Sequence, residues 1–346
     1  MNNTRERVLV TGGSGFIAGH IIVQLLEQGY QVRTTVRSLR KESTVRAVLA
    51  DAGMVNDSAL SFVAADLTND AGWSEAVEGC DYVLHVASPV HLRNVRNEDD
   101  VIVPAREGTL RVLRAAHRAG VRRVVLTSAF HAVGFGHGRA DRTFTEDDWS
   151  VLNGPGVDAY GKSKTLAERA AWDFIAAEGR GMELVTMLPV AVMGPVMGND
   201  ISGSNHVVQR SLDGRMPGYP NMWMPIVDVR DVASAHILAM IEPGAAGQRF
   251  LVSSGPSIAM KDIGVLLRTH LGDAAKRVPT RTIPDFVVRL VARFNADLRP
   301  VAADLGFVKK VSSDKARRVL GWQPRPSQEA VIAAGQSMIR KSLVKS

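Results

Sequence analysis

Short apolar runs ending at glycine, serine or proline alternate along the first half of the chain with stretches whose apolar residues recur every three or four positions. The short runs predict strands at Arg7–Thr11, Gln31–Val36, Ser61–Ala65, Asp81–Val86, Arg123–Thr127 and Glu183–Leu188. The periodic stretches predict helices at His20–Gln28, Asp99–Ala119 and Tyr160–Ala177. Gly29 and Gly120 stop the first two, since glycine tolerates the left-handed turn that ends a helix. Strands that are apolar throughout and alternate with helices predict an α/β fold, a doubly wound parallel sheet covered on both faces. In such sheets ligands bind beyond the carboxyl ends of the strands. After Gly194 the pattern loosens, and residues 194–225 are rich in Gly, Asn, Met and Pro. A helix at Asp228–Ile241, a strand at Arg249–Ser253 and helices at Lys261–Leu271 and Pro284–Phe294 follow, with no internal repeat.

Composition narrows the class. With 346 residues, 45% apolar and 22% charged, the chain is neither disordered, collagenous nor a coiled coil. No run of about 18 apolar residues occurs, so no membrane-spanning helix is expected. Cys80 is the only cysteine, which excludes an intramolecular disulfide and suggests a reducing compartment, the cytoplasm. Met1–Arg7 is polar and does not read as a signal segment. The net charge of +7 is uneven: residues 261–346 hold 17 Lys+Arg and 7 Asp+Glu, leaving residues 1–260 at −3. Acidic residues interrupt the basic section and no block of five basic residues forms, so neither a nucleic acid nor a membrane is expected as partner. The nine histidines lack metal-ligand spacing, and no metal is expected.

The chemistry begins at Thr11-Gly12-Gly13-Ser14-Gly15-Phe16-Ile17-Ala18-Gly19, a glycine turn between a strand and a helix. Gly12 permits the tight turn, and Gly15 lets the backbone approach a pyrophosphate at the helix N-terminus. This places a dinucleotide on a Rossmann-type sheet. The second strand ends at Val36-Arg37-Ser38, with Arg40 and Lys41 close behind and no acidic residue between Gln28 and Lys41. An acidic residue there would bind a ribose 2′-hydroxyl, whereas Arg37 offers a planar double donor to a 2′-phosphate, with Ser38 adding a hydroxyl. The expected cofactor is NADP(H).

Tyr160 and Lys164 stand four residues apart, on one face of a predicted helix. A lysine beside a phenol favours the phenolate, so Tyr160 is expected to have a lowered pKa and to act as a general acid/base. Ser128 follows the fifth strand and so lies at the same edge of the sheet.

With these residues in place, the chain resembles an extended short-chain dehydrogenase/reductase. It is most similar to the branch of dihydroflavonol 4-reductases, cinnamoyl-CoA reductases and bacterial NADPH-dependent aldehyde reductases. The carriers are Thr11–Gly19, Val36–Ser38, Asp66-Leu67, His85–Pro89, Thr127-Ser128, Phe144–Trp149, Tyr160–Lys164, Leu188-Pro189, Val227–Ala233 and the late Ser312–Ala316 with Leu320–Trp322. The resemblance implies that Asp66 and Leu67 contact the adenine, and that Val86, Ala87 and Ser88 line the cofactor channel. It implies that Pro189 to Val192 pass beside the carboxamide, that Lys164 holds the nicotinamide ribose, and that Tyr160 protonates the carbonyl oxygen. A serine would hydrogen-bond the substrate oxygen. Many relatives read Thr-Ser-Ser where this chain has Thr127-Ser128-Ala129, so Ser128, Thr127 or His131 must supply that contact, with Ser128 the first choice.

The expected reaction is reversible reduction of an aldehyde or ketone, the partner a small carbonyl or alcohol. Met193, Val196, Met197, Met216, Met222, Trp223 and Met224 suggest an apolar or aromatic substrate. Within that set Met193, Met222 and Trp223, with Ser88 and His131, are the pocket candidates. The division expected is a Rossmann core over residues 1–193, with returning segments from about 226–254, and a smaller C-terminal substrate-binding lobe making up most of 194–346. A nucleotide-sugar epimerase or dehydratase, or a 3β-hydroxysteroid dehydrogenase, is the rival on the same scaffold. A non-catalytic NADP(H)-sensing regulator is the rival of another class. A monomer or a homodimer is compatible with the sequence.

Overall fold

The structure, a computed structural model, describes residues 6–89, 97–139, 141–295 and 298–345. Seven parallel strands form the central sheet: β1 Arg7–Val10, β2 Gln31–Val36, β3 Leu60–Ala64, β4 Tyr82–His85, β5 Arg123–Thr127, β6 Glu183–Pro189 and β7 Arg249–Val252. Their order is β7-β6-β5-β4-β1-β2-β3. The chain reverses its winding between β1 and β4, and a crevice opens there beyond the strand ends.

Alternation along the strands decides what each face buries. Val8, Val10, Leu84 and Val125 face one apolar cluster; Leu9, Val83 and Val124 face another. The first cluster takes the apolar sides of helices α1 (Phe16–Glu27), α2 (Glu42–Asp51) and α7 (Val229–Ile241). The second takes α3 (Trp73–Val77), α4 (Asp99–Arg118) and α5 (Ala159–Ala177). A third cluster lies outside the sheet, where α6 (Asn205–Leu212), α8 (Met260–Leu271) and α12 (Ser327–Arg340) pack around Tyr219 and Ile226. Helices α9 (Asp285–Ala292), α10 (Arg299–Asp304) and α11 (Asp314–Leu320) complete the later half.

The returning segment is fastened at both ends of α7. Buried Arg123, at the start of β5, donates to the last carbonyls of that helix, Ala239 at 2.9 Å and Glu242 at 2.7 Å. At the other end Trp322 donates its indole N–H to the Asp231 carbonyl, and Arg325 pairs with the Asp231 carboxylate. The Val227–Ala233 and Leu320–Trp322 motifs therefore join the sheet to the chain's last quarter.

Three expectations need correction. Helix α1 starts at Phe16, four residues before His20, because Gly19 lies inside it rather than in the turn. A Cβ at Gly19 would come within 3.0 Å of Met197 Sδ, so this glycine is a packing residue of the helix. The expected layout placed no helix at α12, although Ala330, Val331, Ala334 and Met338 line up on one buried side. Its small residues give a weak apolar signal. Within the loose stretch 194–225, α6 and the two-residue strands Tyr219–Pro220 and Trp223–Met224 are formed.

Histidines buried in this framework set its acid limit. Burial holds His20 and His236 at about 4 and His85 at about 3. In the unfolded chain each binds a proton near its ordinary value of 6.5, so between there and about pH 4 the unfolded state takes up more protons. Stability is therefore expected to fall as pH falls, by about 1.4 kcal/mol per pH unit for each such histidine. Thermal unfolding followed from about pH 7 to about pH 5 checks this, and a melting temperature that stays level contradicts it.

Candidate active site

The carboxyl ends of β1, β2, β4, β5 and β6 bring the candidate residues to one edge. At β1 the chain turns sharply at Gly12, whose φ is +75°. A Cβ there would meet Ala87 Cβ at 3.0 Å, which the close crossing of β1 and β4 does not allow. Thr11 locks the crossing. Its hydroxyl oxygen accepts from the N–H groups of Val86 (3.0 Å) and Ala87 (2.9 Å), so its proton goes to His85 Nδ1 at 2.9 Å. His85 is then protonated on Nε2, which is buried and has no partner among the described residues. Thr11 is itself fully buried, so it shapes the turn and offers no surface to a cofactor, contrary to expectation.

Helix α1 follows with Gly15 at its N-cap and no side-chain cap. Among the described residues the N–H groups of Phe16 and Ile17 have no acceptor, and no acidic side chain lies in the first turn. Such an end accepts a phosphate. At the end of β2, Arg37, Ser38 and Lys41 are exposed, and Arg37 makes no hydrogen bond or ion pair among the described residues. The Asp66 carboxylate turns back onto Thr68, whose N–H and hydroxyl hold its pKa below the ordinary value. Leu67, Val86, Ala87 and Ser88 are half-buried along the crevice, as is Val192; Pro189 is buried. Glycines a side chain would block, a free helix end and an unpaired arginine fit a dinucleotide carrying a 2′-phosphate.

Helix α5 carries the reactive pair. Asp158 caps it, accepting from Gly161 N–H at 2.8 Å, which fixes Tyr160 in the first turn and Lys164 one turn on. The Tyr160 phenol is not lowered as expected. Burial pushes it up to about 12, with Asp158 adding to the rise. Lys164 is the group that moves down, to about 8, because burial disfavours its charge. Its ammonium lies 3.4 Å from the Thr127 carbonyl. At neutral pH the site therefore holds a protonated phenol and a cationic lysine. A cavity of about 10 Å³, the size of one water, is lined by Ala87, Ser88, Thr127, Ser128, Lys164 and Glu168.

Residues 8–253 match the model of the NAD dependent epimerase/dehydratase family. The chain belongs to that family. Its relatives include ketoreductase azaE of Aspergillus niger, 32% identical over 99% of this chain and 100% of that protein. Cinnamoyl-CoA reductase 1 of Oryza sativa subsp. japonica is 36% identical over 73% of each chain. Among solved structures, yeast methylglyoxal/isovaleraldehyde reductase Gre2 complexed with NADPH superposes with a TM-score of 0.79 at 25% identity, covering 98% of this chain and 100% of that one. The reductase branch named by the motifs is the one found among these family members.

Within this family scaffold two expected site residues are differently engaged. Ser128 lines the small cavity beside Lys164 but is buried and donates its one hydroxyl proton to Glu168 at 2.7 Å. Met193 is fully buried in the third cluster and presents no surface to a pocket, whereas Met222 and Trp223 are half-buried. His131 does reach Tyr160, with ring centroids 4.9 Å apart and edge to face.

Glu168 was missed. It lies one turn beyond Lys164, fully buried, and its carboxylate accepts from Ser128, Thr186 (2.8 Å), Trp172 (3.4 Å) and Arg249 (2.8 Å). Arg249, on β7, also donates to the carbonyls of Glu146 and Asp148 and stacks on Trp149 at 3.7 Å. The Phe144–Trp149 motif is thus a seat for this arginine. The signal in the sequence was the i, i+4, i+8 series of Tyr160, Lys164 and Glu168, three polar residues on one helix face.

Glu168→Ala would strand the buried Arg249, so a loss of about 3–5 kcal/mol is expected. Denaturant unfolding measures it, with Glu168→Gln, which keeps part of the bonding, expected between the two.

Proposed function

We propose that the chain is an NADP(H)-dependent carbonyl reductase acting on an apolar or aromatic aldehyde or ketone, with Tyr160 as general acid. The observation that carries the reading is the Tyr160 phenol one helical turn from the buried Lys164, at the strand edge that also bears the glycine turn. Ketoreductase azaE, cinnamoyl-CoA reductase and NADPH-bound Gre2 support it by similarity.

The residues divide the work. Gly12, Gly15, Phe16 and Ile17 offer backbone to the pyrophosphate, and Arg37, Ser38 and Lys41 take the 2′-phosphate. Asp66 and Leu67 flank the adenine; Val86, Ala87, Ser88, Pro189 and Val192 line the path of the nicotinamide end. NADPH, when bound, supplies the hydride. The Tyr160 hydroxyl donates to the carbonyl oxygen and gives up its proton as negative charge gathers there. A phenol of high pKa stays protonated at neutral pH and is poised for the reductive direction; in reverse it must first lose that proton. The Lys164 charge steadies the phenolate left behind. Residues 194–346, apart from the returning 226–254, form the substrate lobe, with Met222 and Trp223 facing the substrate.

An epimerase of the same family would retain NAD, and an acidic residue at the end of β2 would suit it. Arg37 stands there instead. This favours the reductase.

Tyr160→Phe is expected to lower kcat by roughly 10²–10⁴ without loss of NADPH affinity. NADPH oxidation against a panel of aliphatic, aromatic and flavonoid-like carbonyls measures it, and full activity in the variant excludes the assignment. Arg37→Ala should weaken NADPH far more than NADH, because only NADPH carries the phosphate that the guanidinium would meet. Equal losses in titrations with the two cofactors would count against that contact.

A further inference from the structure

An oxygen that gains negative charge during reduction is steadied by donors placed in advance, and one phenol supplies one hydrogen bond. The residues nearest by position do not provide a second. Val232's carbonyl accepts from His236 Nδ1 at 2.7 Å, so His236 Nε2 is an acceptor and takes the Thr127 hydroxyl proton at 2.8 Å. Ser128 spends its proton on Glu168. Ala129 has no polar side-chain atom.

The next candidate is His131. It lies in the short turn Phe130–Ala132 that follows β5. Its carbonyl accepts from Ser150 Oγ at 2.8 Å, which anchors the turn. Its ring is stacked flat on Phe135, centroids 4.3 Å apart and planes 9° off parallel, and stands edge to face with Tyr160. The orientation of the imidazole is thus fixed on two sides by aromatic rings. Among the described residues neither ring nitrogen has a hydrogen-bond partner, although Thr11, Thr127, Val232 and Pro195 each partner another buried histidine. Asp158, Asp304, Lys164 and Lys309 act on the ring electrostatically. Burial outweighs them and holds His131 at about 4, so near neutral pH it is uncharged and carries one N–H.

We propose that the His131 imidazole N–H is the second hydrogen-bond donor to the substrate carbonyl oxygen, beside the Tyr160 hydroxyl. His131 is then a catalytic residue in the place where this chain has lost a usable hydroxyl. The inference rests on the reductase reading above and goes beyond it by naming the partner of Tyr160. No proton leaves His131 in the step: the hydride comes from NADPH, the proton from Tyr160, and the imidazole N–H only shares its hydrogen with the developing alkoxide.

The test uses the full chain loaded with NADPH and a carbonyl that the wild type reduces. His131→Phe keeps a flat ring between Phe135 and Tyr160 and removes the N–H. Its kcat/KM is expected to fall by roughly 10²–10³, the usual effect of removing one such donor. Its NADPH affinity and melting temperature should stay at the wild-type values, which a merely structural role would not predict. His131→Asn and His131→Leu are similar in volume, and only the first keeps an N–H. They form a second pair that serves even if His131→Phe folds poorly, with Asn expected to be the more active. An active wild type with an equally active His131→Phe, or equal rates for Asn and Leu, overturns the inference alone. A wild type that binds NADPH and reduces no carbonyl overturns the reductase reading and this inference with it.

Discussion

A carboxylate taken wholly out of water is tolerable only if donors surround it, and Glu168 is surrounded by four. Those donors come from the residue that follows β5, from α5, from β6 and from β7, so one side chain ties three neighbouring strands to the helix that bears Tyr160 and Lys164. The arginine is the costly member. Its guanidinium is nearly enclosed, and it is satisfied by Glu168, by two carbonyls and by the face of Trp149. Removing either charge leaves the other without compensation, which is why the pair acts as a constraint on the fold and not as an ornament to it.

The same burial governs the chemistry. Sequence spacing suggested that Lys164 would draw the Tyr160 pKa down. The structure has the opposite balance, because the cost of placing a phenolate in a dry site exceeds the help of a lysine turned toward a carbonyl. Desolvation thus keeps the Tyr160 phenol neutral at and well above neutral pH.

The strands and long helices of the first half were legible because apolar runs of strand length and a 3.6-residue period are strong signals there. Gln31–Val36 and Arg123–Thr127 were read to the residue. The cofactor turn was legible because its glycines are required by backbone geometry, and backbone requirements leave a direct trace in sequence. Three things were hidden for a common reason: they depend on which distant partners a side chain meets in the folded chain. Ser128 looked free until Glu168 claimed its proton. Thr11 looked like a ligand residue until two N–H groups and a histidine filled its hydroxyl. Met193 looked like pocket lining until the third cluster closed over it. Helix α12 escaped for another reason, since alanines and glycine mark a buried face only weakly.

The position of β7 has a consequence for how the protein is made. Its strand is the last to join the sheet, and Arg249 follows Glu168 by 81 residues. At a synthesis rate of about 5–20 residues per second, the carboxylate waits on the order of 4–16 s for its partner. Through that interval helix α5 can form, but its buried face carries an unanswered charge and the outer edge of β6 stands open. The sheet lacks its seventh strand until nearly three-quarters of the chain has been made. Until then the edge of β6 that Arg249–Val252 covers is open, and an exposed strand edge is a template for wrong pairing.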